Sequence, residues 1–277
     1  MPPLPADAAL VLFTVLMGAS VGGFINVVVW RVPREESVVW PGSHCPRCGT
    51  PLGWLEKWPL VPWLVLRGRC RHCGVPIPFR YPLVELLCTG LWVAMLAARP
   101  DGFGPAPDPL LLLPAGWLLA SWLLPLVLID IDRLWLPEPL CRWGVVLGLA
   151  VTALVGLQQD PLTARRLLLE HLLAAAAGLL GLEALSALAE KAMGRPALGL
   201  GDAKLAALMG AWLGPRGLGL ALILAVLSGA LVGGVARLSG RLGPRQPFPF
   251  GPFLAAGALA VWIAGEGPWI GLLFRGL

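Results

Sequence analysis

The sequence has few charged residues, and this shortage excludes an ordinary water-soluble globular protein. Asp, Glu, Lys and Arg make up 13% of the 277 residues, whereas 57% are hydrophobic and the mean hydropathy is +0.77. Soluble domains average about 25% charged residues. One globule cannot bury so much apolar surface, and apolar runs of about 17 to 25 residues, long enough to cross a bilayer, recur along the chain.

The alternation of apolar and polar residues that marks the strands of a membrane barrel is also missing. The run from 167 to 188 does not alternate, although barrels need alternating segments of about ten residues. Helices are the other structure that satisfies every backbone group in lipid. The sequence therefore predicts an all-α membrane protein, a polytopic bundle of about eight transmembrane helices. The predicted spans are 8–29, 82–98, 110–129, 142–157, 166–188, 202–214, 216–236 and 251–273.

Basic residues are missing from the first ten positions, MPPLPADAAL. A secretory signal peptide starts with a basic segment, so we expect the first apolar run to be a retained span. The formal net charge of +5 comes from basic residues in loops that flank apolar runs. This distribution favours membrane topology and argues against nucleic acid as a partner.

The segment 31–80 is strongly basic, with eight Lys and Arg residues against three Glu. Cytoplasmic loops carry an excess of Lys and Arg, so we predict that this segment is cytoplasmic and that the amino terminus lies outside. Alternation places the loops around Arg133 and Lys204 on the same face, where Lys204 is expected to be a snorkelling anchor. Arg165 and Arg166 are the exception, in a predicted outer loop.

Four cysteines in segment 31–80 form two CxxC pairs separated by 21 residues: Cys45, Cys48, Cys70 and Cys73. This spacing lets both pairs bind one tetrahedral ion in a closed structural site. At about 50 residues the segment is too small to build a sufficient core alone. We therefore predict a structural zinc site. The alternatives are two disulfides, which need an oxidising compartment, a redox role, or a site in which His44 or His72 replaces one thiolate.

Acidic residues lie at the ends of two predicted spans. Asp130 and Asp132 end the third span, and Asp202 opens the sixth span after two glycines. The predicted topology puts both ends on the cytoplasmic face, where the acids can meet. Two carboxylates that share one proton give a base that activates water and an acid that polarises a peptide carbonyl, which is the chemistry of aspartyl proteolysis.

The residue types alone leave simpler roles open for these acids. Asp202 could cap the helix that follows it, and Asp130 or Asp132 could pair with Arg133. Nothing in their chemistry distinguishes Asp130 from Asp132. His171, in an apolar stretch, is expected to be a satisfied packing residue rather than a ligand.

Six segments follow one another in a specific order: GASVGGFINVVVWRVP, the paired CxxC loop, RYPLVELL, LIDIDRLWLP, the GxGDxK element at 199–204, and FGPFLA. Together they resemble the bacterial prepilin peptidases, also called type IV leader peptidases, over nearly the whole chain. The resemblance implies a bifunctional inner-membrane enzyme. Such an enzyme removes the basic leader of type IV prepilins and type II secretion pseudopilins and methylates the new amino terminus with S-adenosylmethionine.

The resemblance also assigns roles to residues of this chain. It makes Asp130, seven residues before the proline of the LP element, and Asp202, in GxGD, the catalytic pair on the cytoplasmic side. It implies a first transmembrane helix at 1–30, a methylation-linked zinc module at 31–81, and a peptidase core at 82–277 in contact with membrane lipid. The residues that bind the methyl donor stay unknown.

The chain departs from the family pattern at three positions, where the family usually has Ser, Asn and Asp: Gly23, Lys57 and Glu138. The first two fall in or next to the region that the family links to methylation, so they bear on methyl transfer more than on cleavage. Alternative functions are an ion-coupled transporter with a structural zinc loop, and a GxGD intramembrane peptidase of another substrate class. A methyltransferase or scaffold with an idle protease centre is a third.

Overall fold

The chain folds as a series of helices. The computed structural model describes residues 8–98, 100, 101, 103, 107–193, 199–243 and 246–273, and within these ranges it contains two isolated β-bridges but no strand. Residues 1–7, for which we expect no signal peptide, lie outside the described residues. The helices are α1 (Ala8–Arg31), α2 (Val61–Val65), α3 (Arg80–Met95), α4 (Pro109–Arg133), α5 (Glu138–Gln159), α6 (Pro161–Met193), α7 (Leu200–Leu238), α8 (Gly251–Ala264) and α9 (Gly267–Leu273).

Among the described residues, five helices are long and apolar enough to cross a membrane: α1, α4, α5, α6 and α7. A sixth span is formed if α8 and α9, which are bent by 115° at a short break, count as one. The chain is therefore a multi-pass membrane protein, but the predicted eight spans are not confirmed. The difference arises at α3, which has 16 residues, and at α7, a 39-residue helix that covers two predicted spans.

The described residues form two compact units that divide near residue 98. This division does not test the predicted functional boundaries at residues 30 and 81. In the first unit α1 packs against α3 through glycines. A Cβ atom added at Gly18 would lie 3.1 Å from Thr89 Cα, and one added at Gly22 would lie 2.6 Å from Glu85 Cα. The absence of side chains lets the two backbones approach closely, as in many membrane helix pairs.

The second unit contains α4 to α9, with the first half of α7 at its centre. Every residue from Leu205 to Gly214 is buried, and α7 packs against α5, α6 and α8. A Cβ atom added at Gly210 would lie 2.5 Å from the backbone of Ala174 in α6. Small residues therefore bring α7 against its neighbours.

The helix α7 is broken at Gly214, which has φ 69° and ψ −175° and is followed by Pro215. Glycine adopts this conformation without the steric cost that a side chain would bring. After the break, Cβ atoms added at Gly217 and Gly229 would lie 3.6 Å from Val261 and 3.2 Å from Phe250, respectively. The second half of α7 therefore runs antiparallel to α8.

A buried histidine satisfies the backbone at this break. Pro215 has no N–H, so the carbonyl oxygen of Ala211 lacks its usual helical donor. His171 Nδ1, from α6, lies 3.0 Å from that oxygen and 3.2 Å from Thr152 Oγ1. A carbonyl oxygen only accepts, so Nδ1 carries a proton and donates it. His171 is thus a satisfied packing residue, as predicted.

Candidate active site and metal centre

Asp130 lies in the last turn of α4 and is 6% exposed. Its Oδ2 accepts a hydrogen bond of 2.9 Å from the N–H of Gly251, the first residue of α8. A Cβ atom added at Gly251 would lie 2.7 Å from the same oxygen. Glycine therefore allows α8 to begin directly against the carboxylate, and the positive end of the helix dipole stabilises negative charge there.

Asp132, two residues further along α4, is exposed. Residues two apart on a helix do not share a face, so burial of Asp130 turns Asp132 away from the helix bundle. The structure therefore distinguishes the two aspartates, which the residue types alone did not.

Asp202 lies in the first turn of α7 and is 9% exposed. Its Oδ2 accepts a hydrogen bond of 3.2 Å from the N–H of Gly199, which precedes the helix. This is the capping interaction that was one of the simpler alternatives for Asp202. It engages Oδ2, so capping and a place in a reactive pair are compatible.

Asp130 and Asp202 lie near enough for the negative charge of Asp130 to act on Asp202. The segments around them also meet. A Cβ atom added at Gly201 would lie 3.0 Å from Leu136 Cβ, in the loop after α4. The four chain segments at α4's end and at the starts of α5, α7 and α8 therefore surround one site.

Lys204 belongs to the rim of this site. Its Nζ lies 2.7 Å from Glu138 Oε2, and the two side chains are 35% and 63% exposed. The ion pair joins the start of α7 to the first turn of α5. It gives Lys204 a protein partner, and the expectation that Lys204 is a snorkelling anchor stays a prediction.

The contacts of Asp130 also show the course of α7. The helix begins near Asp202, beside Asp130, and passes Phe250 at Gly229. Phe250 immediately precedes the residue that binds Asp130, so both ends of this stretch lie on the same side. A straight helix from 202 to 229 would be about 40 Å long. The chain therefore turns back at the break in α7, and its two halves are antiparallel.

The four cysteines lie in two matching turns. In the first turn Gly49 N–H donates to Cys45 O at 2.9 Å, and in the second Gly74 N–H donates to Cys70 O at 2.9 Å. The two glycines have φ of 68° and 70°, a conformation that favours glycine after the second cysteine of each pair. This short repeat was not recognised in the sequence.

The sulfur positions fit a tetrahedral metal site. The four Sγ atoms lie within 4.8 Å of one another, and the Sγ atoms of Cys45 and Cys73 are 3.8 Å apart. Zinc–sulfur bonds of about 2.3 Å in a tetrahedron place sulfurs about 3.8 Å apart. The four clustered cysteines form no disulfide in the part of the chain that the structure describes. Hydrogen bonds to the side chain and backbone of Thr50 lower the pKa of Cys48 to about 6, whereas burial and hydrogen bonds to the other three thiols raise the pKa of Cys73 to about 11.

Comparison with known proteins gives two family matches. The profile of the bacterial Peptidase A24 N-terminal domain matches residues 16–99, and that of the type IV leader peptidase family matches residues 117–234. A prepilin leader peptidase/N-methyltransferase of Burkholderia pseudomallei (strain K96243) is 36% identical over 95% of this chain and 90% of its own length. The chain belongs to the type IV leader peptidase family.

Two other members of the type IV leader peptidase family extend the comparison. The prepilin leader peptidase/N-methyltransferase of Myxococcus xanthus (strain DK1622) is 42% identical over 84% of this chain but only 65% of its own length. The type 4 prepilin-like proteins leader peptide-processing enzyme of Escherichia coli O78:H11 (strain H10407 / ETEC) is 31% identical over 91% of this chain and 93% of its own length. No solved structure matches the chain.

The leader peptidase match contains Asp130 and Asp202, and the N-terminal match contains the four cysteines. Gly251 lies outside both matches, and the sequence assigned it no role. In the sequence, Gly251 forms a Gly-Pro pair before an apolar run. This pattern indicates the start of a helix but not which side chains contact its first residue. Cys88 and Cys141, the two cysteines outside the cluster, are buried.

Proposed function

We propose that the chain cleaves the leader peptide of type IV prepilins, including type II secretion pseudopilins, with Asp130 and Asp202 as the catalytic pair. The observation that carries this proposal is the meeting of two buried carboxylates from separate helices in a member of a leader peptidase family. A capping residue or a headgroup-level ion pair does not require a second buried carboxylate beside it. Aspartyl hydrolysis does.

The pair would work as one acid and one base sharing a proton. One carboxylate removes a proton from a water molecule while the water oxygen attacks the carbonyl carbon of the scissile peptide. The protonated carboxyl gives its proton to the carbonyl oxygen. The tetrahedral intermediate then collapses, the C–N bond breaks, and a proton moves to the leaving amine. The Gly251 and Gly199 N–H groups hold the two carboxylates in place throughout.

The site would lie at the cytoplasmic face of the inner membrane. The basic segment 31–80 and the basic residues near both aspartates support this orientation. The antiparallel halves of α7 supply two crossings, so α3 and the α8–α9 pair bring the proposed total to eight. A substrate with a basic leader and an apolar helix would meet the site from the side of the bilayer.

The four-cysteine loop would bind one structural zinc ion through Cys45, Cys48, Cys70 and Cys73. Zinc in a closed four-thiolate site holds a small module folded and takes no part in peptide cleavage. We also propose that the chain methylates the new amino terminus with S-adenosylmethionine. The N-methyltransferase part of its relatives' names supports this activity, and no residue is assigned to it.

The catalytic proposal is tested by incubating the purified full chain with a prepilin and measuring product masses. Asp130→Asn and Asp202→Asn are each expected to lower the cleavage rate by about 10²-fold or more. Asparagine keeps an oxygen that accepts the Gly251 or Gly199 N–H but cannot exchange the catalytic proton. Loss of activity would therefore report chemistry rather than loss of helix contacts.

Asp132→Asn is the matched control, because Asp132 is exposed and only two residues from Asp130. It should cleave at close to the wild-type rate. Cleavage that survives Asp202→Asn would refute the proposal. Cleavage inside the apolar span of the substrate, rather than at the leader boundary, would favour a GxGD peptidase of another substrate class.

A further inference from the structure

The segment Trp54–Val65, here called the tryptophan segment, exposes large apolar side chains although it lies outside the membrane-spanning helices. Trp54 is 70% exposed, Leu64 67% and Val65 72%, and Leu55, Trp58 and Val61 are also exposed. Soluble surfaces rarely carry so many neighbouring apolar side chains without a partner. On α1 the same kind of exposure marks lipid-facing residues such as Leu12.

A hydrogen bond fixes the depth of this segment. Leu60 N–H donates to Glu85 Oε2 of α3 at 2.7 Å. Glu85 lies at the same height along the bundle as Gly22 of α1, because a Cβ atom added at Gly22 would lie 2.6 Å from Glu85 Cα. Gly22 precedes Arg31, the last residue of α1, by nine positions, or roughly 13 Å of helix. The tryptophan segment is therefore held on the membrane side of the end of α1.

The charges around the segment suit the headgroup region of a bilayer. Lys57 lies inside the segment beside Glu56, and Arg67, Arg69 and Arg71 follow it closely. The four basic side chains are exposed. Basic side chains attract anionic lipid headgroups. Tryptophan side chains concentrate at the boundary between headgroups and acyl chains.

We propose that the tryptophan segment docks on the lipid bilayer beside α1 and α3, with Trp54, Leu64 and Val65 inserted among the lipids and the basic residues at the headgroups. The bilayer is the occupant that fits the depth set by Glu85 and the positive charge together. This surface is independent of the catalytic proposal, since it involves neither aspartate.

The test uses the full chain in nanodiscs of phosphatidylethanolamine and phosphatidylglycerol. A benzophenone amino acid is introduced at Leu64 or Val65, irradiated, and the covalent products are identified by mass. Leu12 in α1 is the positive control, and Arg47 in the first cysteine turn is the negative control. Zinc content reports whether each variant keeps the loop folded.

Lipid adducts at Leu64 and Val65 are expected at yields similar to that at Leu12 and about tenfold above that at Arg47, as for a segment inserted at the interface. Equal yields at Leu64 and Arg47 would overturn the proposal. Covalent products with a second copy of the chain, or with added prepilin, in place of lipid would also overturn it. Either crosslinking result can be obtained whether or not the chain cleaves prepilin. The lipid proposal and the catalytic proposal can therefore fail independently.

Discussion

The aspartate site and the four-cysteine loop hold reactive side chains at fixed separations by different means. Asp130 and Asp202 stand at the ends of helices that small residues pack tightly together, and each carboxylate accepts a backbone N–H. The cysteines stand in two exposed turns within a loop of about 50 residues, a length at which a core alone is rarely sufficient. Two cysteines of the four are exposed.

The difference shows where each part of the chain finds its rigidity. In the second unit the helices supply the framework, so the acid pair needs no additional component to be positioned. In the loop the backbone hydrogen bonds close each cysteine turn separately, and the proposed zinc ion would link the two turns. The first site should therefore fail through changes in packing, and the second through loss of metal.

Metal loss should have the largest effect and should be confined to the loop. Cys45→Ser and Cys70→Ser are expected to abolish binding of about one zinc ion per chain, because a four-thiolate site needs all its ligands. Limited proteolysis should then cut within 31–80 while the circular dichroism of the helices stays unchanged. Cys88→Ala, at a buried cysteine outside the cluster, should keep its zinc. Full zinc content in Cys45→Ser would contradict the four-ligand site.

Gly251→Ala should disrupt the aspartate site and leave the four-cysteine loop unchanged. The new Cβ atom would meet Asp130 Oδ2 at 2.7 Å, and displacing a catalytic group by about 1 Å can cost about 10²-fold in rate. We expect prepilin cleavage to fall by about 10- to 100-fold and zinc content to stay constant.

Gly267→Ala is the matched control for Gly251→Ala. Gly267 also begins a helix and precedes a proline, but a Cβ atom added there meets nothing within 4 Å. Its cleavage rate should match the wild type. If both variants lose the same activity, the close approach to Asp130 is not the cause.

His171→Leu should weaken the packing of the second unit by a smaller amount. It removes the nearer of two donors to Ala211 O at the break in α7 and leaves Thr152 Oγ1 at 3.4 Å, and loss of a buried hydrogen bond costs about 1 kcal/mol. Reversible unfolding in detergent would measure the change in free energy. Glu170→Gln, at the neighbouring half-exposed position, removes only the ion pair with Arg166 and should change the free energy of unfolding by less. Equal effects in the two variants would show that the hydrogen bond at the break is unimportant.

Lys204→Met should have the smallest effect. It removes the ion pair with Glu138, and exposed ion pairs contribute little to stability. Thermal unfolding and cleavage are expected to stay close to wild type. A large loss of cleavage with normal thermal unfolding would instead give Lys204 a part in the reaction.

Much of this organisation follows from local features of the sequence. The lengths of the apolar runs predict the membrane helices, and the spacing of the cysteines predicts the cluster. The positions of Asp130 and Asp202 at span ends predict that they can meet. The first two features depend on residues within one segment of chain. The third follows because the alternation of the spans places both aspartates on one face.

Other features depend on residues far apart in the chain and were missed. Gly251 binds Asp130 across 121 positions, and His171 reaches Ala211 across 40. A glycine or a histidine in an apolar stretch does not indicate its distant partner. The break in α7, by contrast, falls at Gly214 and Pro215, where the sequence separates the predicted spans 202–214 and 216–236.

The turn in α7 has a consequence for how the protein is made. Residues 200–213 form about 21 Å of helix, too little to cross the roughly 30 Å hydrocarbon layer alone. We expect the first half of α7 to enter the membrane together with the second half, as a helical hairpin. The hairpin would pack against α5 and α6, which are synthesised before it. Gly251 at the start of α8, whose N–H donates to Asp130, is translated later still. The nascent chain therefore lacks the hydrogen bond from Gly251 to Asp130 until residue 251 has left the ribosome.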